Sequence, residues 1–241
     1  MPKIAVISVA HIHSRQFCDK ISKSTSGKAP CLIWDENVER GTKYASDYNS
    51  RFEPDLAKAV SDPEVDAFIV CAENTRHLPL LQKILPMGKP VMCEKPLATK
   101  ASEADEIVAL ARKYNVKLIC GYHLPFNGAN RAAKEHIVNK ELGDVTHVNF
   151  RNAHHAAYGR WFDNPELAWF TEPELSGGGA LLDMGTHAVQ FLRHLAGPVE
   201  KVWAEILNLS NVYPKVDDYG LIVMKFKSGI IGRAEAGWVF T

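Results

Sequence analysis

The sequence predicts an α/β protein in two parts: a doubly wound parallel sheet, then an α+β domain with an open, mostly antiparallel sheet. Short apolar, β-branched runs alternate with segments of helical periodicity as far as about Gly121, which is the βαβ rhythm. Beyond it the runs lengthen and alternate in polarity, as strands with one wet face do. With 241 residues, 46% of them apolar and 23% charged, the chain can bury two cores and is too apolar to stay disordered. The expected domains are residues 1–122 and 123–241.

In the first domain the strands are expected at Ile4–Val9, Cys31–Trp34, Ala67–Cys71, Pro90–Cys93 and Lys117–Gly121. Runs this continuously apolar suit a sheet covered on both faces. Between them helices are expected at His13–Ser24, Val38–Tyr48, Asp55–Val60, Arg76–Met87 and Ala101–Tyr114. Pro54 marks a helix start, Gly88 a helix end, and Thr99–Ser102 offers caps for the helix that holds Glu103. The second domain should open with a helix near Asn130–Asn139 and continue with strands at Val145–Ala153, Val199–Leu209, Tyr219–Phe226 and Ile230–Val239. Gly177-Gly178-Gly179 precedes one more helix, Ala180–Leu195, which Gly197-Pro198 ends.

Lys plus Arg equals Asp plus Glu at 28 each, so no net field draws nucleic acid, and a small molecule is the expected partner. The apolar run Ile4–Ala10 is too short for a membrane span and lacks the flanks of a signal peptide, which predicts a cytoplasmic protein with no membrane partner. Five scattered cysteines without a CxxC pair indicate neither a disulfide framework nor a thiolate zinc site. Three of them end or follow apolar runs, where a buried, inert thiol is expected.

Ligands of a doubly wound sheet settle beyond the carboxyl ends of its strands. A dinucleotide fingerprint would place glycine at Ser8, Ala10 and His13, and none is glycine here. Ser8 and Ala10 are small enough to keep much of the close approach, whereas His13 must point away or touch the phosphates. His11 and His13 stand two apart with no local third ligand, so no metal is expected. Asp35 ends the second strand, where a carboxylate accepts hydrogen bonds from an adenosine ribose and repels a 2′-phosphate; it can equally cap the next helix. Two further strands lead into Cys71-Ala72-Glu73-Asn74-Thr75-Arg76-His77 and Cys93-Glu94-Lys95-Pro96-Leu97. Glu94-Lys95 strands two charges between an apolar strand and a proline, where a plain surface turn would carry Gly, Asn or Ser. A lysine so placed can give or take a proton. Asp183 and His187 are four apart on one helix face, continued by Gln190 and His194, opposite a core-like side of Leu181, Val189, Leu192 and Leu195. Such a pair serves as general acid and base or as a hydroxyl clamp, the plain alternative being a solvated stripe.

Taken together, Glu94-Lys95-Pro96, the block from Gly177-Gly178-Gly179 to Asp183-Met184-Gly185-Thr186-His187 and the Asn74–His77 segment resemble the glucose-fructose oxidoreductase / inositol dehydrogenase / rhizopine-catabolism (Gfo/Idh/MocA) family over essentially the whole chain. The resemblance implies a Rossmann domain for NAD or NADP, then a domain whose sheet carries substrate and mediates homo-oligomers. It implies hydride transfer between nicotinamide and a secondary alcohol of a sugar, cyclitol or related polyol. Lys95 and His187 would flank the reacting carbon, either one taking the hydroxyl proton, with Asp183 on substrate hydroxyls and Glu94 near the nicotinamide ribose. Cofactor contacts are expected at Ser8, Ala10, His11, Ile12, Asp35, Cys71, Asn74, His77, Glu94, Lys95 and His123, with Asp35 favouring NAD over NADP. His154, His155, Tyr158 and Trp161, together with Asn152, supply the polar and aromatic surface that a sugar needs. Two other functions suit a similar fold: an NAD-retaining glycosidase working through a transient keto-sugar, and a non-catalytic dinucleotide-binding regulator. Family members continue for further elements, so the stop at Phe240-Thr241 predicts an incomplete second sheet with an unpaired edge.

Overall fold

In the computed structural model, which describes residues 2–24 and 30–241, strands β1 (Ile4–Ile7), β2 (Pro30–Trp34), β3 (Arg51–Phe52), β4 (Ala67–Val70), β5 (Val91–Cys93) and β6 (Leu118–Cys120) form one parallel sheet in the order β3-β2-β1-β4-β5-β6. The strands run where the apolar segments predict, apart from β3, which is too short to show a period. Both faces of the sheet are buried. Along β1, Ala5 and Ile7 join a core with Leu32, Trp34 and Val70, while Val6 joins Ile33 and Tyr44 in another. Each such aliphatic side chain contributes about 1.5–3 kcal/mol when fully buried. The strand order reverses between β1 and β4, which opens a crevice at their carboxyl ends.

Helices α1 (Ser14–Ser22), α2 (Val38–Asp47), α3 (Leu56–Ser61), α4 (His77–Ile84) and α5 (Ala101–Lys113) connect these strands. Asn37 caps α2 through the Arg40 N–H, and Asp55 caps α3 through the N–H groups of Ala57 and Lys58. The helix expected at Arg76–Met87 is α4 between two short 3₁₀ turns, and Gly88 leaves it at φ +70°. Lys100, rather than Thr99 or Ser102, occupies the N-cap of α5 and makes no side-chain cap; Thr99 instead donates to the Glu103 carboxylate.

Contacts divide the chain into Met1–Gly121 and Tyr122–Thr241. The second unit holds α6 (Gly128–Val138), β7 (His147–Ala153), α7 (Pro173–Ser176), α8 (Thr186–Ala196), β8 (Val199–Leu207), β9 (Tyr219–Phe226) and β10 (Ile231–Gly237), with sheet order β7-β10-β9-β8. The pairs β8–β9 and β9–β10 are antiparallel, whereas β7 runs parallel to β10. A hairpin forces antiparallel pairing, but the long excursion from β7 to β10 leaves the direction open. One sheet face, carrying Ile222, Met224, Phe226 and Ala234, packs on Ala188, Leu192 and Ala196 of α8. The helix expected at Ala180–Leu195 begins with a π-helical turn, Leu181–Gly185, and becomes α-helical only from Thr186. Among the described residues no helix is long and apolar enough to cross a membrane.

Candidate active site

Beyond β1 the chain turns at Ser8 with φ +62°. A glycine takes that left-handed backbone freely, while a side chain pays about 1–2 kcal/mol. The Ser8 hydroxyl donates to Asp35 Oδ2 at 3.3 Å. Asp35 also accepts from the Val9 and Asn37 N–H groups, each at 2.7 Å, and from the Arg40 guanidinium, whose Nη2 lies at 2.8 Å. A carboxylate offers about four lone-pair sites, and this one, fully buried, spends them inside its own chain. These bonds hold Asp35 beneath the first turn. Gly41 allows α2 to come this close, since a Cβ there would lie 2.9 Å from Asp35 Cβ and 2.4 Å from Phe52 Cε2.

Beside the turn lies a cleft of about 570 Å³ with apolar walls from Pro54, Leu56, Pro79 and Leu80 and with Ser8, Glu36, Arg76 and Lys83 also lining it. Glu36 and Arg76 form an ion pair. Flat apolar walls with a few charged groups suit a base and its ribose, so the residues present fit the adenosine half of a dinucleotide.

Past Ser8, Ala10 and His11 are buried and Ile12 is exposed. The His11 N–H donates to the Cys71 carbonyl at 2.9 Å. His11 Nδ1 accepts from the His13 N–H, and His13 Nδ1 lies 3.2 Å from Glu94 Oε1. Glu94 is thus the third group that the two histidines lack locally, their donor atoms all lying within 4.8 Å of one another. The three engage each other in a hydrogen-bonded cluster that ties the turn to β5.

Two residues expected at the cofactor are fully enclosed. Cys71 has no exposed surface and burial raises its thiol far above the usual range, so only its carbonyl serves the turn. His77 is likewise enclosed, with Nδ1 2.8 Å from the Pro96 carbonyl and Nε2 3.2 Å from that of Ala72. Burial lowers its pKa, and the neutral ring clamps the Lys95-Pro96 turn from behind. Asn74, 4% exposed, begins the 3₁₀ turn before α4. The remaining thiols fit the same picture, with Cys18 and Cys120 pushed up to about 12 by burial.

Glu94 and Lys95 are 1% and 3% exposed at the end of β5. The Glu94 N–H donates to the Val70 carbonyl at 2.9 Å. Gly121 leaves room for the carboxylate, because a Cβ would stand 3.1 Å from Glu94 Oε2.

In the second unit, Asp183 sits in the π-turn, a local irregularity that recurs at functional positions. Its Oδ2 accepts from Trp238 Nε1 at 3.0 Å. His187 is 6% exposed, edge-on to Tyr122 at 5.9 Å and to His123 at 5.3 Å, and Tyr122 shares a 2.5 Å hydrogen bond with Thr186. The face carrying His187 is packed rather than solvated, and the residues of α8 that enter the core are Ala188, Phe191, Leu192 and Ala196. Asn152 Nδ2 donates to the Met184 carbonyl at 2.9 Å, which joins the end of β7 to the π-turn. Beyond β7, His154 stacks on Trp161 at 4.7 Å and His155 meets its edge at 5.1 Å, while Tyr158 and Trp161 remain exposed. Aromatic faces beside imidazoles form a surface that can hold a sugar ring.

The glycine run serves a close approach that sequence reading left unassigned. A Cβ on Gly179 would lie 2.0 Å from the Asp217 carbonyl oxygen. The Asp217 carboxylate accepts from the Gly179 and Leu181 N–H groups at 2.9 and 2.7 Å, so it caps the π-turn. Asp217→Ala should lower stability by about 0.5–2 kcal/mol, the usual range for a lost helix cap; a denaturation midpoint equal to wild type would contradict this. Asp217 and Trp238 act on residues 36 to 55 positions away, beyond any local pattern, whereas Arg40 reaches Asp35 only five residues before it.

A family model described as an oxidoreductase family with an NAD-binding Rossmann fold matches residues 3–122, and one described as the GFO/IDH/MocA C-terminal domain matches 130–241. The 1,5-anhydro-D-fructose reductase of Ensifer adhaerens is 30% identical over 216 residues, which span 88% of this chain and 62% of the relative. The trans-1,2-dihydrobenzene-1,2-diol dehydrogenase of Xenopus tropicalis is 31% identical over 65% of this chain and 45% of its own. The chain thus spans roughly half to two thirds of the length of these relatives. Among solved structures, GenD2 from gentamicin A biosynthesis, in complex with NAD, superimposes with a TM-score of 0.88 at 25% identity, covering 100% of this chain and 66% of that one.

Proposed function

The chain belongs to the GFO/IDH/MocA oxidoreductase family, and on that premise we propose that it is an NAD-dependent oxidoreductase acting on a secondary alcohol of a sugar, cyclitol or related polyol, or on the ketone in the reverse direction. The observation that carries this reading is Glu94-Lys95, a charged pair buried at the carboxyl end of β5 and braced by His77 and Gly121. Burying charge is costly, and this pair is buried at the carboxyl end of the sheet, where ligands of such a fold settle.

When bound, the dinucleotide supplies a two-electron acceptor for the hydrogen on the alcohol carbon. The turn Ser8-Val9-Ala10-His11-Ile12 holds its phosphates, and Glu94 holds the nicotinamide ribose. Lys95 Nζ takes the hydroxyl proton as the carbon is oxidised and returns it in reduction. Asp183, one oxygen held by Trp238, accepts from substrate hydroxyls, and His187, oriented by Tyr122 and His123, shares the proton transfer with Lys95 as a general acid and base. His154, His155, Tyr158 and Trp161 pack against the sugar ring. On the outer face of the second sheet, Trp203 opposite Val223 and Leu207 opposite Tyr219, the first of each pair exposed, offer a surface for a second copy of the chain.

The test is the dinucleotide that co-purifies with the protein, identified by mass and absorbance. NAD or NADH in near-stoichiometric amount supports the reading. A protein that carries none and takes up neither NAD nor NADP in calorimetry contradicts it.

A further inference from the structure

We propose that His11, His13 and Glu94 form a binding site for one divalent transition-metal ion of the zinc type, which pins the turn beyond β1 to the end of β5. All three residues belong to the unit Met1–Gly121, and the site stands independently of the dinucleotide reading.

Two histidines alone make a poor site, but the parallel sheet brings Glu94, 81 residues from His13, against them. Among the described residues these are the one group of three His, Cys, Asp or Glu side chains whose donor atoms converge, all within 4.8 Å of one another. A tetrahedral zinc ion holds nitrogen and oxygen at about 2.0–2.2 Å, which sets neighbouring donors about 3.3 Å apart. His13 Nδ1 and Glu94 Oε1 already stand 3.2 Å apart. Glu94 is 1% exposed, and its Oε2 has no hydrogen-bond partner among the described residues. A carboxylate so enclosed lacks part of the solvation its charge requires, and a cation against it supplies the compensation.

Two imidazoles with a carboxylate select zinc or a similar ion over magnesium and calcium, which take oxygen donors. Metallation of His11 on either ring nitrogen gives up the contact in which its Nδ1 accepts from the His13 N–H at 3.2 Å. That is one long, neutral hydrogen bond against three ligand bonds. His13, with its side chain 34% exposed, gives the ion a way in and leaves a fourth position to water. The ion would also fix a turn that lacks the fingerprint glycines and passes through a left-handed serine.

The experiment is titration of the tag-free full chain with zinc chloride against a chromophoric chelator, with no dinucleotide present, for wild type, His13→Ala, Glu94→Gln and His136→Ala. Melting temperature is read with and without zinc. Wild type should take up one ion per chain and melt higher with it, as for any ligand that binds only the folded state. His13→Ala and Glu94→Gln should each bind zinc about tenfold or more weakly, since loss even of a ligand's supporting partner costs about 10- to 100-fold, and their melting temperatures should no longer respond to it. His136, an exposed ring paired with Glu141, stands for ordinary surface binding, so His136→Ala should match wild type. Should Glu94→Gln fail to fold, His13→Ala, at the partly exposed ring, carries the decision. A folded His13→Ala or Glu94→Gln with wild-type zinc affinity, affinity lost in His136→Ala instead, or a wild type that takes up no zinc overturns the site. Each of these results leaves dinucleotide binding to its own test.

Discussion

Lys95→Ala is expected to reduce turnover below detection while dinucleotide affinity stays within about tenfold of wild type, because the ammonium acts on the reacting hydroxyl and contributes little to the adenosine half. Its position makes a bystander role expensive. Lys95 stands two residues beyond β5, is 3% exposed, and lies beside a glutamate that is itself engaged by His13. A lysine on a solvated turn would tolerate alanine within about 0.5 kcal/mol of stability and leave rates alone. Steady-state kinetics and calorimetry on one preparation separate the two cases. Turnover equal to wild type would remove Lys95 from the mechanism.

The second large effect is expected at His187. His187→Ala should lower the rate roughly 10²- to 10⁴-fold, the range for a lost general acid or base. Since the ring is 6% exposed and packed against Tyr122 and His123, the variant should also lose about 0.5–3 kcal/mol of stability. Asp183→Asn separates catalysis from folding. Its amide oxygen can still accept from Trp238, so stability should hold while KM rises as substrate hydroxyls lose a charged acceptor. Melting temperature measured beside kcat and KM decides the matter. A fall in stability with unchanged kinetics in both variants would make this face of the helix purely structural.

What the sequence carried best was the first sheet. Its strands are buried on both faces, and that leaves short continuous apolar runs such as Ala67–Val70, rich in β-branched residues and bounded by polar segments. The two-residue β3 has no period to detect. The π-turn at Leu181–Gly185 was hidden because its composition is ordinary for an α-helix, and the Asp217 carboxylate that holds its first N–H groups lies 36 residues beyond Leu181. Among candidate residues, Glu94-Lys95 and Asp183 with His187 could be picked out because charges and imidazoles stood where packing would favour apolar groups. Occupancy was not legible. That Arg40 and two backbone N–H groups already engage Asp35 could not be read from its position at the end of a strand. The pairing of His13 with Glu94 joins residues 81 positions apart, beyond the reach of any local pattern.

Coupled oxidation of a polyol carbon and reduction of a nicotinamide would show in the product balance. The protein would be mixed with NAD and a panel of sugars and cyclitols, and NADH and ketone quantified together by mass spectrometry. At least one polyol should yield the two in equal amounts in wild type and neither in Lys95→Ala. Bound NAD with neither product formed from any member of the panel, or equal yields from wild type and Lys95→Ala, would contradict it.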